Sequence, residues 1–223
     1  KDRMMKTIPL LNIAIAIATV VGSADAFGMS RRAVFQNAAS AAAAVATLST
    51  TTTANANAAA DIQVGGKMIL GEENIMSQKG HGTSETPVQE NLLYGVSAKL
   101  SDKICNFNRH FAESGGYFQY TNFEEEMKAA KGPVTFYDSV TGAPLFQAPI
   151  GRTVDDFIDE SRVHGWPSFR DTEVVWDNVR VLKSSGETVS VSGTHLGHNL
   201  PDRKGNRYCI NLVSIAGQPV NQV

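Results

Sequence analysis

The stretch GTHLGHNLPDRKGNRYCINLVSIAG, residues 193–217, combines a strand signal, a polar turn and a second strand signal. In its second half apolar and polar residues alternate, which is typical of a half-buried β-strand. The alternation assigns Tyr208, Ile210 and Leu212 to one face and Cys209, Asn211 and Val213 to the other. A hairpin through PDRKGN would return HLGH towards Cys209. The stretch therefore predicts antiparallel strands as the basis of the fold.

Strand signals continue upstream as far as Pro133. VTFYDS, residues 134–139, alternates, and residues 172–193 predict two strands joined near Ser184 to Gly186. Before Pro133 the pattern becomes helical, with Leu100, Ile104 and Phe107 at helical spacing and a second short helix over 122–130. Residues 61–93 show no period and predict an extended surface segment in which His81 is solvated. The sequence predicts a mainly β fold with short N-terminal helices.

The first 60 residues have the character of targeting segments. Residues 1–26 have a basic start, an apolar run and the small residues ADA, the features of a secretory signal peptide. A transmembrane helix is the alternative. A span needs about 20 apolar residues, and the apolar run over residues 7–24 is close to that length. Residues 27–60 contain no acidic residue, are rich in Ala, Ser and Thr, and include the pair Arg31–Arg32, as transit sequences do.

Together these two segments resemble the bipartite plastid leaders of diatoms and related algae. The resemblance implies a plastid protein of an alga with a secondary plastid, delivered to the thylakoid lumen. A low-complexity linker behind an ordinary secretory signal is the alternative for residues 27–60.

Removal of both segments would leave a mildly acidic chain. Residues 61–223 hold 15 basic and 20 acidic side chains, a net charge of −5, with no basic tract. Nucleic acid and anionic membrane surfaces attract proteins with basic patches, so we expect neither as a partner. We divide this part into an N-terminal extension, residues 61–130, and a β domain, residues 131–223.

The chain has two cysteines, Cys105 and Cys209, too few for a disulfide framework. They could form one bridge or act separately, and a buried small hydrophobe is the ordinary role of a lone cysteine. Cys209 differs because strand geometry places Arg207 and Asn211 on its own face. A cation and an amide donor beside a sulfur favour the reactive thiolate.

The polar groups upstream could support such a thiol. His195, His198 and Asp202 would be brought towards Cys209 by the hairpin, giving imidazoles and a carboxylate for acid–base work. Two alternatives stay open: the HxxH pair could ligate a metal, although no third ligand is near in sequence, or the histidines could be ordinary polar residues of a turn.

Four motifs in this order resemble the type-B methionine sulfoxide reductases: TGAPLF (141–146), GWPSF (165–169), HLGH (195–198) and RYCIN (207–211). The likeness covers roughly residues 131–217. It implies a fold of two antiparallel sheets and reduction of the R epimer of methionine sulfoxide in proteins or peptides. It also implies that the extension lies outside the part shared with that family.

The resemblance assigns a role to each motif residue. Cys209 would be the nucleophile. The sulfoxide oxygen would be bound and protonated by a network of His195, His198, Asp202 and Arg207, which Asn211 helps to orient. Trp166 would pack against the substrate methyl, with Phe169 also in the substrate site. The sulfenic acid formed on Cys209 would then need a second thiol to reduce it.

The sequence departs from the family in three ways. Many relatives bind a structural zinc with two CxxC pairs; the corresponding positions here are Asp138, Thr141, Val189 and Ser192, so we expect neither zinc nor any other cofactor. The usual resolving cysteine is replaced by His164, which leaves Cys105 or an external donor such as a thioredoxin. The loop 199–206 is also short.

These departures keep a second hypothesis open. The chain could be a non-catalytic, reductase-like structural or assembly subunit of a lumenal photosynthetic complex. Its N-terminal extension would then be the arm that binds the complex.

Overall fold

The computed structural model describes residues 62–220, so the predicted signal peptide and transit segment lie outside the described residues. The described part is mostly β, with a six-stranded mixed sheet, a two-stranded sheet and a few helices. Its strands are β1 Leu70–Gly71, β2 Val134–Tyr137, β3 Pro144–Ala148, β4 Ser168–Phe169, β5 Val179–Leu182, β6 Glu187–Ser190, β7 His195–Asn199 and β8 Tyr208–Ile210. The mainly β prediction is confirmed.

The larger sheet has the order β1-β5-β6-β7-β8-β4, and β2 pairs with β3 in the smaller one. All pairs are antiparallel except β1 with β5, which is parallel. The expectation of two antiparallel sheets is therefore correct for the smaller sheet and wrong for the larger. The physical reason is that β1 belongs to the lead-in segment, our name for residues 61–93, which runs along the free edge of β5 in the same direction.

Within residues 62–220 the α-helices are α1 Ala98–Asp102, α2 Phe123–Ala129 and α3 Val154–His164. The first two confirm the predicted N-terminal helices, and α1 continues as a π-helical turn, Lys103–Phe107. Helix α3 lies where only strands and turns were predicted. Its Thr153 and Asp156 form a capping box, and Gly165 ends it with φ of 85°.

The predicted final strand is shorter than its alternating pattern. Strand β8 ends at Ile210, because Leu212–Ser214 folds into a 3₁₀ turn. The N–H groups of Leu212 and Val213 donate to the buried carboxylate of Glu113 instead of to a strand partner. A side chain of the extension thus takes the bonds that would have extended the ladder.

One aromatic core joins the two sheets to the extension. Phe146 and Phe169 stack with ring centroids 4.3 Å apart. Phe136 and Phe157 pack against Phe169, and Phe123 packs against both of these in turn. All five rings are buried, and burial of each stabilises the fold by about 1.5–3 kcal/mol. Because Phe123 belongs to α2, the extension forms part of this core.

Side-chain hydrogen bonds also fix the lead-in segment to the rest of the fold. His81, predicted to be solvated, instead lies 3.0 Å from the carboxylate of Asp102. Lys79 donates from Nζ to three backbone carbonyls, one of them that of Ser192 at the tip of the β6–β7 turn. Among residues 62–220, the helices are too short or too polar to span a bilayer.

Candidate active site

A cleft of about 440 Å³ opens over the face of the larger sheet that carries Cys209. This size is within the range of small-ligand sites. Its lining residues come from β7, β8 and the adjoining loops, from the GWPSF segment, and from the extension. They are His110, Phe111, Ala112, His164, Trp166, His195, Gly197, His198, Leu200, Arg207, Cys209 and Asn211.

Cys209 lies in the middle of this site, because β8 is an inner strand paired with β7 and β4. Its direct cross-strand partners are His198 on β7 and Ser168 on β4. Partners of this kind have Cβ atoms about 5 Å apart, so one imidazole is a neighbour of the thiol. Gly197 allows the strands to approach, since a Cβ there would lie 2.0 Å from the carbonyl oxygen of Cys209. The predicted approach of HLGH to the thiol is present.

Arg207 contacts the thiol directly, as the period-2 pattern predicts. Its Nη1 donates to the sulfur of Cys209 at 2.6 Å, and only 7% of the residue is exposed. A buried guanidinium stabilises negative charge on the sulfur and is always ionised. Its Nε–H is buried and makes no hydrogen bond.

Asp202 is placed behind Arg207 and does not line the cleft. Its Oδ2 lies 3.6 Å from Nε of Arg207, and Arg170 binds both of its oxygens at 3.0 and 2.7 Å. The hydrogen bond with Arg170 lowers the pKa of Asp202 far below its usual range. The structure thus corrects the expected role: Asp202 is a fixed negative charge beside Arg207 and faces a neighbouring groove.

The two histidines of HLGH both line the cleft, with ring centroids 5.6 Å apart. Nδ1 of His195 lies 2.8 Å from Oε1 of Glu187 on β6, and both side chains are buried. Burial lowers the pKa of His198, and the neighbouring His195 lowers it further, although Glu187 opposes this. At neutral pH His198 is therefore an uncharged imidazole that can accept a proton.

Asn211 lines the cleft, and its amide bonds the backbone on both sides. Nδ2 donates to the carbonyl of Leu196 at 3.0 Å, and Oδ1 accepts the backbone N–H of Glu113 at 3.1 Å. The hydrogen bonds of this amide are thus to backbone groups and not to the sulfur of Cys209. Asn211 instead links β8 to β7 and to the extension.

The GWPSF motif divides between the cleft and the core. Trp166 lines the cleft, and its Nε1 donates to the carbonyl of Glu113 at 3.2 Å. Gly115 packs beneath its ring, since a Cβ there would lie 3.4 Å from the indole. Phe169 is fully buried and stacks on Phe146, so its predicted place in the substrate site is corrected to the core.

His110, Phe111 and Ala112 form one side of the cleft, which we call the N-terminal wall. Phe111 is 67% exposed, which makes the wall largely apolar at the rim. From the sequence, this segment was predicted only as the end of a helical stretch of the N-terminal extension, and its place in the cleft was missed. Glu187 and Glu113 were missed as well; a glutamate in a strand next to HLGH was the available signal for Glu187.

Cys105, the predicted resolving cysteine, does not line the cleft. It is fully buried, and its Sγ contacts the hydroxyls of Ser101 and Ser214 at 3.7 and 3.6 Å. Burial raises the pKa of this thiol to about 12, although its hydrogen bonds with Ser214 and Ser101 oppose the shift. Both cysteines are free thiols. This geometry does not support a resolving role.

Asp138, one of the four positions compared above with a zinc site, is a buried carboxylate. The single O–H of Thr194 lies 2.9 Å from each carboxylate oxygen of Asp138 and is shared between them, and Oδ1 also accepts the N–H of Val140. Burial raises the pKa of Asp138, and these hydrogen bonds oppose the shift. The turn after β2 and the turn before β7 are thus joined by side-chain hydrogen bonds.

A second polar cluster, Glu160, His164 and Asp202, has ligand atoms within 4.8 Å of one another. Arg152 and Arg170 already pair with these carboxylates, since Arg152 binds Glu160 at 2.6 Å and Arg170 binds both acids. Two arginines at the same oxygens repel a further cation. The donor set does not fit a metal ion.

Comparison with known proteins leaves the site to be judged on its own geometry. No model of a known protein family matches the chain. A search of curated proteins finds no similar sequence either.

Proposed function

We propose that the protein is a thiol-dependent reductase of methionine R-sulfoxide in proteins or peptides, with Cys209 as its nucleophile. The observation that supports this best is the contact between Arg207 Nη1 and Cys209 Sγ, in a cleft whose lining includes the imidazoles of HLGH and an indole. The order of the motifs and the mainly β fold support the likeness to type-B methionine sulfoxide reductases. The likeness itself stays a proposal.

The reaction has two stages, reduction of the sulfoxide and then regeneration of the Cys209 thiol. The sulfur of Cys209 attacks the sulfoxide sulfur, the oxygen passes to Cys209, and methionine is released: thiol plus sulfoxide gives sulfenic acid plus thioether. The sulfoxide sulfur gains the two electrons that the cysteine sulfur loses. Two external thiols then reduce the sulfenic acid to the thiol, forming their own disulfide and water.

Five of the cleft residues have a part in the first stage. Arg207 stabilises the attacking thiolate. The neutral imidazole of His198 can accept the thiol proton, and the histidine pair can deliver it to the oxygen that leaves sulfur. Trp166 and Phe111 give the apolar surface that a thioether needs.

The reductant is proposed to be an external thiol donor of the thioredoxin kind. Cys105 is buried outside the cleft lining, and burial raises the pKa of its thiol to about 12. The cleft, in contrast, is open to solvent at the exposed Phe111 and Leu200. A donor thiol can approach Cys209 from that side.

The test is turnover by the full chain with dabsylated methionine R- and S-sulfoxide and dithiothreitol. We expect methionine from the R epimer alone, and none when Cys209 is replaced by serine. Cys105→Ala is the matched control and should retain turnover. Absence of turnover with both epimers, in a folded chain, would contradict the proposal and favour the non-catalytic subunit.

A plastid or thylakoid-lumen location and a thylakoid complex as partner remain predictions from the leader alone. They can be tested by expressing residues 1–60 ahead of a fluorescent protein in a diatom. Retention of that fusion outside the plastid would contradict them.

A further inference from the structure

Three side chains form a continuous chain from the extension to the cleft. Nε of Arg109 donates to both carboxylate oxygens of Glu187, at 3.0 and 2.9 Å, and its Nη2 also contacts that carboxylate. On the other side, Oε1 of Glu187 lies 2.8 Å from Nδ1 of His195. Arg109 lies in the segment that the family likeness does not cover.

The carboxylate in the middle is ionised despite its burial. Burial raises the pKa of Glu187, but hydrogen bonds from His195 and Arg109 outweigh it, and the pKa lies below the usual range. An ionised carboxylate can only accept hydrogen bonds. The proton in the contact with His195 must therefore be on Nδ1.

We propose that Arg109, through Glu187, is a positioning residue that fixes His195 with its Nδ1–H on Glu187 and Nε2 towards the cleft. The inference rests on the proposed function for its effect on turnover. In the neutral ring Nε2 is then the acceptor atom directed at the cleft, so His195 can receive the proton that His198 takes from Cys209 and pass it to the sulfoxide oxygen. A free ring would divide its population between tautomers and orientations.

A purely structural ion pair would have other consequences. Arg109 also reaches Glu73 at 3.5 Å, so it could simply fasten the extension to β6. Its loss would then lower stability without changing the tautomer of His195. The matched control is Arg162, which pairs with Glu124 on the surface and does not line the cleft.

The first arm of the test is spectroscopic and needs no turnover. The full chain is labelled with ¹⁵N-histidine, and the ring nitrogens of His195 are assigned by comparison with His195→Gln. We expect a protonated Nδ1 and an unprotonated Nε2 in the wild type, and mixed tautomers in Arg109→Met and Glu187→Met. Arg109→Lys and Arg162→Met should keep the wild-type pattern.

The second arm is kinetic. Arg109→Met should lower kcat for the R-sulfoxide about tenfold while KM changes less than twofold, because an outer partner of a proton-transfer group acts on the transition state. Arg109→Lys should recover most of kcat, and Arg162→Met should match the wild type. The side chain of Arg109 is 28% exposed, so its variants should fold even if Glu187→Met does not.

Two results would overturn the inference: an unchanged His195 tautomer in Arg109→Met, or a wild-type kcat in that variant. A wild-type chain without reductase activity would contradict the proposed function instead. The tautomer measurement would then decide the inference by itself.

Discussion

The two cysteines of this chain occupy opposite environments. Cys105 is enclosed by the extension and the C-terminal turn, with serine hydroxyls as its polar neighbours. Cys209 lies on an inner strand with an arginine at its sulfur and a solvent-open cleft in front of it. Both side chains carry the same chemical group, so their surroundings must determine how each one reacts. Access and a fixed cation favour nucleophilic chemistry at Cys209, whereas burial makes Cys105 a core residue.

The largest expected difference is in alkylation. With iodoacetamide at pH 7.5, Cys209 should react at least about a thousandfold faster than Cys105, which needs a local opening of about 4 kcal/mol or more to be reached. Because burial raises the pKa of Cys105 to about 12, its reaction should stay slow even at pH 10. Peptide mass spectrometry over a time course measures both rates. Similar alkylation rates at the two cysteines would contradict the difference in their environments.

The second prediction concerns the cation. Arg207→Met should lower kcat/KM for the R-sulfoxide about a hundredfold, in line with the loss of a buried charge–sulfur contact worth about 3 kcal/mol. It should also slow alkylation of Cys209 at pH 7. Arg203→Met, at an exposed arginine of the same loop, is the control and should change neither. Equal effects of the two variants would show that Arg207 does not activate the thiol.

The smallest effects are expected at the buried cysteine. Cys105→Ala removes one atom from a packed site, so the free energy of unfolding should fall by about 1 kcal/mol, measured by urea denaturation. Turnover with dithiothreitol or a thioredoxin should stay within about twofold of the wild type. Loss of thioredoxin-driven turnover alone would mean that Cys105 does resolve the sulfenic acid.

Local patterns predicted the thiol side of the site well. The same-face placement of Arg207 and Cys209 follows from a period of two, and the hairpin brings HLGH beside the thiol. Helix α3 was readable from its capping box at Thr153 and Asp156 but was overlooked. The strand alternation also suggested a longer β8 than forms.

Long-range features could not be predicted in the same way. Glu113 bonds to Leu212 and Val213 from about a hundred residues away, and no local pattern encodes that contact. The N-terminal wall depends on the same docking of the extension. Asp202 and Phe169 carry the right residue types for a site, yet their side chains turn to Arg170 and to the aromatic core.

The most direct measurement is a single turnover without reductant. The full chain is mixed with excess methionine R-sulfoxide and dimedone, and methionine release and labelled peptides are quantified. We expect one methionine per chain and a dimedone adduct on the peptide with Cys209, while Cys105 stays a free thiol. No methionine, or a disulfide between Cys105 and Cys209 in place of the adduct, would contradict it.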